Sequence, residues 1–465
     1  MSRFRFSGRS ISAAVSILLA ISCSDPTSTE DSFPVRHAKK TGGGSTGSPT
    51  VTSTSPSSST RGITLDVRIF GSGFDAGSQA QWAIDSVPSS KVAVNSTRYV
   101  STGEVVANIT VAEDADLTLY DVIVVTGSGK PGIGTETFEV TLDEADLPTL
   151  GGVKGAGIAI NDQGVIVGMT TDRTADRNGT SYPVRWNLVG GKWVVTKLAA
   201  AASVNAIAHG INESNIIVGM SGYRATAWLP NGAAVDLGPG CAIGINNAGV
   251  IVGARLTANG FQGTAWIPNA GTWLPQDVPH SLDPNTGPMY CPEFAPLRAI
   301  NGAGTIVGYP YGQQTAAKWT ALSPSGPWSN PTLLSTYPNG AGMNGGAVAI
   351  NEAGDILGTL NRGNGDIASH LWRAAGGEIH YSDLGTGSGF GRGLNDRAQP
   401  DVVVTGGGGR CPMAVFSGAT HITQLNRFCG ANQYDGPGDI NNGSATQPMR
   451  IVGAVTGKPK VWTFR

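Results

Sequence analysis

The amino-acid sequence predicts an all-β fold, a β-sandwich followed by a seven-bladed β-propeller, and three observations carry that expectation. Charged residues make up only 14% of the 465 residues while glycines number 67, a composition of short strands and turns rather than of long, charge-laced helices. Between positions 49 and 143, short runs of β-branched residues alternate with polar ones. From there to the C-terminus one pattern, a strand ending in Ile-Asn or Leu-Asn, returns seven times. At 40% hydrophobic content, a chain of this length has room for two buried cores.

Residues 1–22 read as a secretion leader. Arg3, Arg5 and Arg9 precede an apolar run from Ile11 to Ile21, which is too short to span a bilayer and is closed by small residues. The stretch Leu19-Ala20-Ile21-Ser22-Cys23 resembles the lipobox of bacterial lipoproteins, with the leucine four residues before the cysteine. That resemblance implies cleavage before Cys23, lipidation of its thiol, and retention at the outer membrane or cell surface, Ser24 rather than aspartate following the cysteine. Residues 23–48 are rich in Ser, Thr, Gly and Pro with no periodic apolar pattern, and the polar run extends to about Ser59. It is read as a flexible tether. The formal charge of −2 becomes −5 once the three leader arginines are removed, which argues against nucleic acid as a partner.

In the segment 49–143, strands are expected at Ile63 to Ile69, Gln79 to Ile84, Lys91 to Asn95, Glu104 to Thr110, Asp121 to Val125 and Thr135 to Val140. The Gly71-Ser72-Gly73-Phe74 turn, Trp82 and Tyr120-Asp121-Val122 resemble immunoglobulin-like domains of the IPT/TIG type. The resemblance implies an immunoglobulin-like sandwich acting as a spacer or protein-contact module.

The repeat falls at Ile160-Asn161, Ile211-Asn212, Ile245-Asn246, Ile300-Asn301, Ile350-Asn351, Leu394-Asn395 and Ile440-Asn441, about 47 residues apart on average. That period fits four-stranded propeller blades over residues 146–465. After each asparagine comes a tight turn, where the side chain can bond the backbone two residues on and Gly164, Gly249, Gly304 or Gly354 supplies positive φ. Asn215 takes that place in the second copy. An Ile-Val-Gly-like strand follows, as in Val165-Ile166-Val167-Gly168, and then an aromatic residue: Trp186, Trp228, Trp266, Trp319, Trp372, Phe416 and Trp462. One aromatic per copy suits a wedge between neighbouring sheets. The sixth copy is degenerate, with Val402-Val403-Val404 and Pro400. The array resembles the extracellular HAF repeat family, which implies architecture more than activity.

The seventh copy has no outer strand after it, so Asp146-Leu147-Pro148-Thr149-Leu150-Gly151 is expected to supply one and close the array, removing an exposed edge. Cys241, Cys291, Cys411 and Cys429, an even set in an exported chain, are expected to form two disulfides. A local Cys411–Cys429 bridge is plausible, and Cys241 and Cys291 both precede first strands of adjacent copies. No C-x-x-C spacing exists, and neither metal nor cofactor is expected. Asp172, Asp176 and Asn178 lack the spacing of a calcium loop.

Catalytic signatures are missing from the sequence as well. His37, His209, His280, His370, His380 and His421 form no H-E-x-x-H pair, and no G-x-S-x-G elbow occurs. If first strands line an axis, the position two before each Ile or Leu faces it: Ile158, His209, Ile243, Arg298, Val348, Arg392 and Gly438. His209, Arg298 and Arg392 would make a cationic spot suited to an anionic sugar or carboxylate, unless they are merely solvated or pair with acids such as Asp439. The insertion from Pro275 to Pro296 is a second candidate for recognition. The expected function is a monomeric, surface-anchored, non-enzymatic module that binds a glycan, matrix or envelope protein. The alternative is a propeller enzyme, a lyase or glycosidase, using carboxylates converging from different blades.

Overall fold

The computed structural model describes residues 48–113, 115–171, 180–199, 206–283, 295–310, 315–335, 346–361, 367–381, 389–396, 401–406, 413–417, 420–426, 436–443 and 447–464. All elements among them are strands. Cys23, Cys291, Cys411, Cys429, the Asp172 loop and the tip of the Pro275–Pro296 insertion lie outside the described residues, as does the side chain of Phe416.

The first part is a two-sheet sandwich. One sheet runs Thr50–Ser55, Thr64–Ser72, Glu104–Val111, Val92–Ser101 in spatial order; the other runs Ser58–Thr60, Pro131–Thr141, Leu119–Val125, Gln79–Ile84, Val87–Pro88. Strict alternation along Glu104–Val111 turns Val105, Ala107, Ile109 and Val111 inward, against Trp82, Tyr120, Val122 and Phe138 of the facing sheet. The Trp82 ring meets Phe138 edge-on at 5.6 Å and 84°. Asp121 ties turns to the sheet, its carboxylate accepting from the backbone N–H groups of Ser86 and Glu136.

The polar stretch before Thr60 ends differently from the expected tether. Thr50–Ser55 and Ser58–Thr60 are strands, one in each sheet. Their backbone pairing needs no apolar side chain, and only Val51 and Thr54 of the first are buried, the Thr54 hydroxyl donating to the Thr137 carbonyl at 2.6 Å.

From Gly155 onward the strands fall into seven antiparallel units, six of four strands and a seventh of three. First strands are Gly155–Ile160, Ala206–Ile211, the second half of Ala234–Ile245, Leu297–Ile300, Gly346–Ile350, Gly389–Leu394 and Gly436–Ile440. Those of successive units lie against one another, and that of unit seven lies against that of unit one. Unit seven takes its outer strand from upstream, but from Asp143–Asp146 rather than Asp146 to Gly151, with Glu144 opposite Trp462. Pairing here is set by backbone register, and Leu147 and Pro148 continue past the edge to pack on unit one, where the Pro148 carbonyl accepts from the Trp186 indole.

An apolar cluster fills each junction between units. Ala159, Val167 and Leu198 of unit one meet Ala208, Ile217 and Trp228 of unit two, and the same arrangement recurs through Trp266, Trp319, Trp372 and Trp462. The indole N–H groups of Trp228, Trp266, Trp319 and Trp372 donate to the carbonyls of Ala199, Leu237, Pro279 and Ser335, at the outer strand of the preceding unit. Each tryptophan is therefore a wedge with its polar atom satisfied.

The repeated asparagines do more than open a turn. In six units the side-chain oxygen accepts from a backbone N–H beyond the turn, four residues on in five of them, at Val165, Ile216, Val250, Thr305 and Asp355; Asn441 takes Arg450. This corrects the two-residue spacing expected from sequence, which among the described residues occurs only as an added bond from Ser214 to Asn212. The amide nitrogen of each donates to the carbonyl of the next unit's asparagine. Asn161 reaches Asn212, then Asn246, Asn301, Asn351, Asn395 and Asn441 follow in turn, and Asn441 returns to Asn161, at 3.0 to 3.5 Å. The turns themselves have positive φ at Gly164, Gly249, Gly304 and Gly354 and at Asn215.

Candidate ligand-binding level of the inner strands

The same irregularity recurs in all seven first strands. The pairing with the second strand skips Ile158, His209, Ile243, Arg298, Val348, Arg392 (with Gly393) and Gly438. These are β-bulges, which release a residue from the ladder and re-aim its side chain. They are also the seven positions that sequence spacing assigned to an axis.

Crowding limits where those side chains can go. A Cβ on Gly210 would stand 3.0 Å from the Ile243 carbonyl, one on Gly244 2.9 Å from that of Arg298, and one on Gly438 2.5 Å from that of Gly157. First strands of adjacent units therefore touch backbone to backbone, leaving no room for a side chain between them at these points.

The bulges bring His209 and Arg298 into one electrostatic environment although Ile243 of unit three intervenes. Burial, then the Arg298 charge, push the His209 imidazole down from 6.5 to about 4, so it is neutral at pH 7. His209 is 8% exposed, and its Nε2 has no hydrogen-bond partner among the described residues. The Arg298 guanidinium lies 5.7 Å from the centroid of the Tyr309 ring, a cation–π contact that steadies it. Arg392, at the equivalent place in unit six, is exposed.

Two features of this level are invisible in the motif itself. Asp439 stands where other units carry Gly or Ala, and its carboxylate accepts from the backbone N–H of Ile160 across the unit seven to unit one seam at 3.2 Å. Burial raises its pKa from 3.8 to about 7, against the opposing effect of backbone donors at Ile440 and Ile160. It serves the seam, where the sequence offered it as a partner for the channel cations.

Beyond each asparagine a second circuit links the turns. The backbone N–H of Asp162 donates to Glu213, Glu213 to Asn247, Gly302 to Glu352, Glu352 to Asp396, Asp396 to Asn442, and Asn442 to Asp162. Its one gap falls at Gly302, which has no side chain to accept from Asn247. Desolvation raises the Glu213 carboxyl above its ordinary value.

Among the described residues, no group of three or more His, Cys, Asp or Glu is arranged to hold a metal. Cys241, buried in the first strand of unit three, is disulfide-bonded, and its partner lies outside the described residues.

No family model matches the chain, and neither does any curated protein sequence. Solved structures to which it is similar include an auxiliary nutrient binding protein from Bacteroides thetaiotaomicron, at 10% identity and TM-score 0.31 over 90% of this chain and 97% of that one. A mutant of AofleA from Arthrobotrys oligospora is similar at 12% identity and TM-score 0.36 over 70% and 90%. DIP-gamma IG1+IG2 is similar at 11% identity and TM-score 0.17 over 41% and 95%. At these scores the likenesses carry no functional argument.

Proposed function

We propose that residues 146–465 form a seven-bladed β-propeller of HAF-like repeats that acts as a non-enzymatic binding module outside the cytoplasm, taking an anionic ligand at the level of the seven bulges. In this reading Cys23 carries the lipid anchor, residues 23–48 are the tether, the IPT/TIG-like sandwich is a spacer, and Cys241, Cys291, Cys411 and Cys429 form two disulfides. The closed asparagine circuit supports the propeller. The observation that carries the binding site is the shared placement of His209 and Arg298 on equivalent bulges, with a nearly buried, unpartnered imidazole nitrogen beside a fixed positive charge.

The enzymatic alternative gains nothing from the carboxylates nearest the circuit. Asp162, Glu213, Glu352 and Asp396 are each occupied by a backbone N–H of the neighbouring unit, the arrangement of a structural clasp. The test is binding of the purified full-length protein to an array of anionic and neutral polysaccharides, with a triple alanine variant at His209, Arg298 and Arg392 and product analysis of every hit. Binding that the variant abolishes, without chain shortening, is the expected result. Binding untouched by the variant refutes the site, and shortened products refute the non-enzymatic reading.

A further inference from the structure

In units two and seven the second and third strands are joined by a turn of two residues, both with positive φ. Such a turn favours glycine in the second place, and unit seven has it, in Thr456-Gly457 at 50° and 76°. Unit two reads Gly222-Tyr223 at 58° and 64°, which puts a bulky side chain in the left-handed region. The fold does not use that side chain. Tyr223 is 62% exposed, and among the described residues neither its ring nor its hydroxyl has a partner.

The turn is fastened to the crossing between units two and three. Ala234–Ile245 is one continuous strand, the outer strand of unit two and the first of unit three, so among the described residues these two units alone share a sheet, of seven strands. The Gly240 N–H of this crossing donates to the Tyr223 carbonyl at 2.9 Å, and Gly240 is paired opposite Arg255 of unit three. Tyr223 and Arg255 therefore flank one glycine, where a Cβ would lie 2.1 Å from the Ala254 carbonyl. Through Nη2, Arg255 reaches Asp277 on the outer strand of unit three at 2.7 Å; the two side chains are 31% and 57% exposed. The Nη1 of Arg255 and the Oδ2 of Asp277 have no partner among the described residues, leaving one spare donor and one spare acceptor.

From this juxtaposition we infer a second binding site, at the junction of units two and three, for a neutral hexopyranose unit of a polysaccharide; it is independent of the bulges. The phenol ring of Tyr223 offers a flat apolar surface to the C–H face of the sugar. Arg255 and Asp277 serve its neighbouring hydroxyls, each of which can donate and accept. Because guanidinium and carboxylate already neutralise each other, the pair holds no net charge for an anion, and a uronate or sulfate would meet Asp277 as well as Arg255. The shared sheet fixes the two halves of the site before the ligand arrives, which lowers the ordering cost of binding.

The test is titration calorimetry of the full-length protein with neutral hexasaccharides of β-1,4-glucose, α-1,4-glucose, β-1,4-mannose and β-1,4-galactose, and with hexagalacturonate. At least one neutral hexamer should bind, and more tightly than hexagalacturonate. Tyr223→Gly should weaken that binding roughly tenfold or more. It should do so without lowering the melting temperature, since glycine suits the turn better than the residue it replaces. Asp277→Ala should weaken the neutral hexamer several-fold and strengthen hexagalacturonate, because Arg255 loses its counter-charge. Failure of every neutral hexamer to bind overturns the inference, as does binding that both variants leave unchanged. Hexagalacturonate binding as tightly as the neutral hexamers, and lost in Tyr223→Gly, keeps the place but overturns the neutral class of ligand. A fall in the melting temperature of Tyr223→Gly also overturns the inference, because the ring would then be held for packing.

Discussion

The sandwich and the repeat array solve the same burial problem in different ways. In the sandwich, alternating residues from two sheets meet in a single continuous core around Trp82, Tyr120 and Phe138. No unit of the array can do this alone. Its apolar residues are shared out among small clusters at the junctions, six of them holding a buried tryptophan. Cohesion in the array therefore depends on every neighbour being present, as in repeat proteins generally, with the added demand that the last unit meet the first.

Wedge removal breaks this contrast most severely. Trp266→Ala should cost about 3–5 kcal/mol by the usual cavity cost of a buried tryptophan. Urea unfolding followed through the array should register the loss while the sandwich transition stays in place. Trp82→Ala should do the reverse, and if either variant moves both transitions equally, the two regions are one cooperative block.

Next in size is the circuit. Asn246→Ala strands the Val250 N–H and the Asn301 carbonyl, two buried groups, at roughly 2–4 kcal/mol together. Asn246→Asp should be nearly as harmful, since it keeps the acceptor for Val250 but loses the donor to Asn301; thermal melts of the two variants separate the turn bond from the bond between units.

The seam responds to pH. Asp439 has its carboxyl raised from 3.8 to about 7, so the unfolded chain gives up this proton first and stability falls as pH climbs between those values. His209, lowered from 6.5 to about 4, acts oppositely, costing stability as pH drops through that window. Asp439→Asn removes only the first effect. The variant should exceed the parent by about 2–4 kcal/mol at pH 8, with the advantage fading toward pH 4 in denaturant midpoints. A constant difference at all pH values would contradict the assignment.

The smallest effect is a gain. Gly302→Asn supplies an acceptor for the Asn247 N–H, and it is a gain where the Glu352 carboxylate, which a Cβ there would approach to 2.7 Å, shifts while still accepting from the residue-302 N–H. Stabilisation of up to about 1 kcal/mol is expected in the thermal midpoint.

Much of this was legible in the residues. Asparagine and an aromatic residue recur once per copy and in a fixed order because each does one geometric task that few other side chains can do, and the bulge positions follow from counting back from the asparagine. The second circuit was not legible, since Asp162, Glu213, Asn247, Glu352, Asp396 and Asn442 share only the ability to accept a hydrogen bond. Asp439 escaped as a seam residue because its partner, the Ile160 N–H, lies at the far end of the array in sequence. Thr50–Ser55 and the closing strand Asp143–Asp146 were missed or misplaced because edge pairing is backbone chemistry, and their side chains give almost no alternating apolar signal.

Closure of the array is the claim on which the rest depends, and native-state amide hydrogen exchange of Asn441→Ala, the residue that completes the circuit, tests it most directly. Protection should fall in the first strands of all seven units, from Gly155–Ile160 to Gly436–Ile440, while Glu104–Val111 of the sandwich keeps its own. Loss confined to units seven and one, with the other five as protected as in the parent, would contradict it.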